Sequence, residues 1–131
     1  MALGHMNRIV LQLHTQGQIT GDGNERDIAN HHVFLPCKAR LAKAQVYGVV
    51  AGTGTPTSDI EVYAGGDKSA GTAVFSAAAQ ITSSTDNVQG TLANPGKLWP
   101  ADQEFCLSEK TTSGKTLDGL TVILTFREYE A

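Results

Sequence analysis

The last part of the chain carries the feature that most limits its fold. In "LDGLTVILTFREYE" (117–130), Leu120, Val122, Leu124 and Phe126 fall on every second position, with Thr121, Thr125 and Arg127 between them. A period of two puts the apolar set on one side of an extended strand and the polar set on the other, an arrangement that no helix face reproduces. Ile123 alone breaks the alternation.

The same grain runs through the rest of the sequence. "RIVLQLHT" (8–15) is apolar at Ile9, Leu11 and Leu13, with Val10 out of phase, and "DIEVYA" (59–64) sets Ile60, Val62 and Ala64 against Glu61 and Tyr63. "HHVFLP" (31–36), "QVYGVV" (45–50), "AVFSAAAQI" (73–81), "VQGTL" (88–92) and "EFCLSE" (104–109) are further short runs of strand character. Between them lie corners built from residues that adopt positive φ or preset a turn: "AGTGTPTSD" (51–59), "AGGDKSAGT" (64–72), "ANPGK" (93–97) and "TTSGK" (111–115). Pro95 followed by Gly96 fits the two central positions of a type II turn. Eight or nine short strands at intervals of about ten residues predict an all-β, antiparallel sandwich of jelly-roll type. "CKARLAKAQ" (37–45) contains good helix formers, yet Pro36 precedes it and "VYGVV" continues it, so it is read as a strand.

At 131 residues the chain is one domain's worth. No linker, charge run or internal repeat divides it, although residues 1–30 read as an N-terminal arm or strand ahead of a sandwich over 31–131. Residues 1–6, "MALGHM", stay outside the fold argument because "GHM" often precedes a native start. The N-terminal apolar stretch is too short and too interrupted for a secretory signal, and no run reaches the length of a membrane span. A net charge of −3 gives no electrostatic reason to expect nucleic acid or an anionic membrane as partner. The only local basic cluster, Lys38, Arg40 and Lys43, reads as a solvated strand face.

Chemistry is sparse. "EKTTSGKT" (109–116) ends like a phosphate-binding P-loop, but Glu109 stands where that loop needs its first glycine, and an alternating strand follows where it needs a helix. His31 and His32 are neighbours, hence on opposite faces of a strand and a poor chelating pair. Cys37 and Cys106 could pair across a sheet, but two thiols without Cys-x-x-Cys spacing make no disulfide framework, and the first reading is buried reduced cysteine. Glu128 and Glu130 share a face at the chain end, and Asp102, Glu104 and Glu109 flank one strand, all where solvated charges belong. A Cys106 or serine nucleophile lacks a local signature such as Gly-x-Ser-x-Gly. The expectation is therefore no enzyme, no cofactor and no metal. Trp99, the single tryptophan, is read first as a core plug; with Tyr63 or Tyr47 it would alternatively form a stacking platform for a sugar.

Taken in order, the strands and corners resemble those of the small β-sandwich proteins that decorate the virions of tailed bacteriophages. The resemblance rests on an early strand (38–51) leading through the "GTP-T" corner to Ile60 and Val62. It continues with a "P-A-D" corner at Pro100 to Asp102 launching Phe105 to Leu107, and ends on the long strand Leu120 to Phe126. It covers residues 30–129 as a pattern of strands and corners. It implies a jelly-roll-like homotrimer on the capsid surface, a cement protein that bridges capsomers by contacting the major capsid protein. Ile9, Leu11 and Leu13 on the N-terminal arm would be capsid or subunit contacts, their strand pairing with an edge of the same chain, a trimer neighbour or the capsid. The alternative is a carbohydrate- or receptor-binding sandwich of a phage tail or fibre, using Trp99 and Tyr63.

Overall fold

The computed structural model describes residues 8–128. The expectations placed on residues 1–6 and on Glu130 lie outside that range. Within it, eleven strands and no helix make up the chain: β1 (Arg8–His14), β2 (Gln18–Thr20), β3 (Arg26–Phe34), β4 (Ala39–Ala51), β5 (Thr57–Ala64), β6 (Thr72–Ala73), β7 (Ala79–Thr82), β8 (Asn87–Gln89), β9 (Leu98–Trp99), β10 (Glu104–Thr111) and β11 (Thr116–Glu128). They form two antiparallel sheets. The first runs β1-β11-β4-β8, with β2 also on β11 and β9 also on β4; the second runs β3-β10-β5-β6, with β7 also on β5. The all-β sandwich read from the sequence is the fold observed. The higher strand count comes from two- and three-residue pieces such as β2, β6 and β9, too short to show a period.

Consecutive strands mostly lie in different sheets, and two of the glycine-rich corners are crossovers between layers, whereas 64–72 closes a hairpin between β5 and β6. β4 passes through residues 52–56 into β5 in the opposite sheet, and β10 passes through 112–115 into β11. The P-loop look-alike is this second crossover. Lys115 N–H donates to Thr112 O at 3.0 Å and its ammonium to Thr53 Oγ1 at 3.0 Å, so the corner is tied to its neighbour and its lysine is engaged. "NPGK" closes as expected: Gly96 has φ +81°, and Lys97 N–H donates to Asn94 O at 3.1 Å.

The alternating residues of both sheets meet between the layers. Leu120, Val122, Leu124 and Phe126 of β11 are buried with Leu41, Ala44, Val46 and Val50 of β4, facing Ile60 and Val62 of β5 and Phe105 and Leu107 of β10. Phe105 is the aromatic hub, edge-on to Trp99 at 5.4 Å and tilted against Phe126 at 5.5 Å between ring centroids. The "CKARLAKAQ" segment is a strand because its Leu41 and Ala44 belong to this layer.

Irregularities depart from simple alternation at several places, two of which shape the core. The pairing of β11 with β4 shifts between Asp118 and Thr121, where Gly119 takes φ +63°; the extra residue of this bulge keeps both Leu117 and Leu120 in the core. The run 73–81, expected as one strand, is split into β6 and β7. Val74 and Phe75 are both buried although adjacent, which a flat strand forbids, and the backbone bends there so that Phe75 bridges to Leu92.

Residues 17–25, in the segment read as an arm or strand, are tied to the sandwich by backbone hydrogen bonds. Gly21 N–H donates to Lys115 O at 2.7 Å, Gly114 N–H to Gly21 O at 2.9 Å, and Gly23 N–H to Thr111 O at 3.0 Å. Glycine content alone does not reveal such backbone bonds, because their partners lie some ninety residues away in sequence.

Candidate functional site

Three places on the sandwich concentrate function-bearing side chains: a carboxylate cluster, an edge with an exposed aromatic, and an open sheet face.

The carboxylates lie on the outer face of the β3-β10 sheet. There Tyr63 pairs across from Cys106, Glu61 from Ser108 and Asp59 from Lys110. The segment before β3 folds over them and delivers Glu25, whose Oε2 accepts from Tyr63 Oη and from Ser108 Oγ, both at 2.6 Å. The bonds from Ser108 and Tyr63 hold the Glu25 carboxyl below the usual carboxylate range. Glu61 is the opposite case: burial, with Glu25 and Asp59 nearby, pushes its carboxyl up, and its Oε1 is buried with no donor among the described residues. These groups line a cavity of about 270 Å³ with Asn24 and Lys110. Among the described residues no three of His, Cys, Asp and Glu are placed to hold a metal ion. The Cys106 thiol is pushed up to about 11, first by burial, so at neutral pH it is not the thiolate that nucleophilic chemistry needs.

The two glutamates make opposite contributions to stability as pH changes. A raised folded-state value means the fold holds the Glu61 proton more tightly than the unfolded chain does. That contribution is complete below the unfolded value of about 4.3 and is lost as pH rises through the folded one. Glu61→Gln is therefore expected to raise the melting temperature at pH 7 and to change it much less near pH 4. Glu25, depressed, contributes above its unfolded value and loses that contribution as pH falls, so Glu25→Gln should lower the melting temperature at pH 7. Thermal melts of both variants between pH 4 and 8 measure this, and an equal gain for Glu61→Gln at both ends would refute the assignment.

The edge is β3, the outermost strand of its sheet. Its register against β10 jumps between His32 opposite Cys106 and Asp27 opposite Ser108, an irregularity that sets residues 28–31 against Leu107 alone. His32 Nδ1 meets Glu104 Oε2 at 2.7 Å, and Phe34, on the same outer face, is 57% exposed.

The open face belongs to the β1-β11-β4 sheet. Its register builds cross-strand rows: Arg8, Arg127 and Arg40 at one end; then Val10, Thr125 and Lys43; Gln12, Ile123 and Gln45; His14, Thr121 and Tyr47; and Asp118 with Val49 at the other end. Val10, Tyr47 and Val49 are 53, 41 and 57% exposed. Of these, Val10 stood out of phase in the sequence.

The residues singled out from the sequence fall differently. Leu13 is buried in the core, and Ile9 and Leu11 pack against it as partly buried neighbours. Of the three edges open to their strand, β11 of the same chain is the one it uses. Trp99, 6% exposed, sits inside the sandwich with Lys97 Nζ 4.1 Å above its ring, while Tyr63 lies on the outer face of the other sheet with its hydroxyl spent on Glu25. The structure does not bring these two rings together as one platform.

No protein-family model matches the chain, and no curated protein matches it. A chain of the cyanophage Pam1 capsid asymmetric unit superposes on 98% of this chain and 92% of its own, with a TM-score of 0.57 and 17% sequence identity. The two share a fold. Chains of Desmodium yellow mottle tymovirus (TM-score 0.31, 11% identity, 100% of this chain and 94% of that one) and of infectious bursal disease virus Gx strain (0.33, 9%, 93% and 40%) also align, at scores too low to carry an argument. At 17% identity the cyanophage likeness concerns architecture alone, and it spans nearly the whole of both chains.

Proposed function

We propose that the protein is a structural virion component that decorates the capsid of a tailed bacteriophage. In this reading it acts as a homotrimer on the capsid surface and cements neighbouring capsomers by contacting the major capsid protein. The observation that carries the proposal is the near full-length likeness to a chain of a cyanophage capsid, in a sandwich whose core is already complete. A large apolar side chain left outside the core, Phe34 above all, is what a docking protein presents. The role demands complementarity rather than catalysis, and modest contacts repeated around a trimer act together through effective concentration.

Phe34 is assigned to the capsid contact because it stands on an edge strand whose backbone is open to pairing. Light scattering on the eluting peak of a sizing column should give three times the chain mass of 13.8 kDa. The chain should also co-sediment with its virions. Phe34→Asp is expected to weaken that co-sedimentation at least tenfold while leaving the melting temperature nearly unchanged, as befits an exposed site. A stable monomer that ignores capsids would sink the proposal.

A further inference from the structure

The open face of the β1-β11-β4 sheet has a polarity that the proposed capsid role does not use. Its charges are sorted along the strands. Arg8, Arg127 and Lys43, all exposed, gather towards one end, and Asp118 stands at the other with Asp86 just beyond the start of β8. Between the ends lie Val10, Ile123, Tyr47 and Val49, and no element among the described residues covers them. A solvated face has no reason to sort its charges in this way or to keep three large apolar side chains more than two-fifths exposed.

We infer that this face is self-complementary and packs against the same face of a second copy. The relation is a two-fold axis lying between the two sheets and running across the strands. The operation is dictated by the charges. A two-fold along the strands would lay Arg127 over its own counterpart. A two-fold across them reverses strand direction, so the Arg127 end of each copy meets the Asp118 end of the other and the central row around Ile123 meets itself. Lys43, one row inside the basic end, then stands over Tyr47 of the other copy, a pairing of cation and aromatic face. A contact of this symmetry is closed and links copies in pairs. A partner of any other kind would need to match apolar centre, basic end and acidic end at once, whereas a second copy supplies all three by construction.

The size sets the strength. Four strands at about 4.8 Å and some eight residues at about 3.4 Å give roughly 500 Å² of flat area per copy, at the low end for specific interfaces. The contact is therefore weak in dilute solution and effective where copies are held side by side, as decoration proteins on one capsid would be.

Sedimentation velocity of the full chain from about 10 µM to 1 mM in low salt tests this. The wild type should show one twofold step in mass, from monomer to dimer or from trimer to hexamer. Asp118→Arg and Arg127→Asp should each weaken that step roughly tenfold, since each reversal creates two repulsive contacts per pair, and Asp86→Lys should act in the same direction. The double variant Asp118→Arg with Arg127→Asp exchanges the ends and should restore the step. Raising salt to 0.5 M should weaken the wild type. Absence of the twofold step, indifference to the single reversals, or failure of the exchange to restore association would each overturn the inference. Capsid co-sedimentation is read separately at low concentration, so either result can fail while the other stands.

Discussion

Phe126→Ala is expected to destabilise the protein by about 3 to 5 kcal/mol, the usual cost of emptying a buried phenylalanine site. For a chain of this length that is a fall in melting temperature of roughly 10 to 18 °C. Phe126 is fully buried on β11, the strand that pairs with β1, β2 and β4, and its ring leans on Phe105 from the opposite sheet. The void would open where the two layers meet, between sheets whose backbones are fixed by long ladders and cannot close on it. Ile123→Ala, three residues earlier on the same strand but on the outer face, is the control. It should cost less than about 1 kcal/mol. Urea unfolding of the two variants measures both, and similar losses would contradict the assignment of faces that underlies everything else.

That assignment was legible in the sequence wherever a strand was long enough to repeat. β11 and β1 could be placed face by face from spacing alone, because one side of each is buried and the other is wet. Phase also marked two residues of the open face: Val10 and Ile123 interrupt the alternation, and in the structure they lie outside the core. Short pieces were illegible for the converse reason, since two residues such as Leu98–Trp99 have no period. What spacing could not supply was any partnership set by the three-dimensional crossing of the chain. Glu25 finds Ser108 across 83 positions, and Arg26 finds Glu109 across another 83. Nothing about "GNERD" in isolation distinguishes these from solvated charges. Spacing likewise left open which edge the strand of Ile9, Leu11 and Leu13 would use, and the one it takes, β11, lies at the far end of the sequence.

The consequence is sharpest at Arg26. Glu109 is 2% exposed, with Thr111 donating to its Oε1 at 2.7 Å and Arg26 Nε to its Oε2 at 2.9 Å, while Arg26 Nη2 reaches Thr20 O at 2.7 Å. One guanidinium thus joins β2, β3 and β10. A buried carboxylate deprived of its counter-charge typically costs 3 to 5 kcal/mol. Because the Arg26 side chain is itself 39% exposed, water can reach the gap, and Arg26→Ala is expected at the lower end, about 2 to 3 kcal/mol. The diagnostic variant adds Glu109→Gln, which removes the stranded charge and keeps an acceptor for Thr111. If the charge is what hurts, the double variant should recover about half of the loss. If both variants are equally unstable, the bond to Thr20 O and the packing of the arginine stem matter more than the ion pair. Hydrogen exchange adds a spatial reading. In Arg26→Ala the amides of residues 18–28 should lose protection together, ahead of β4 and β11, because this pair is one of the contacts that fasten them to the sandwich.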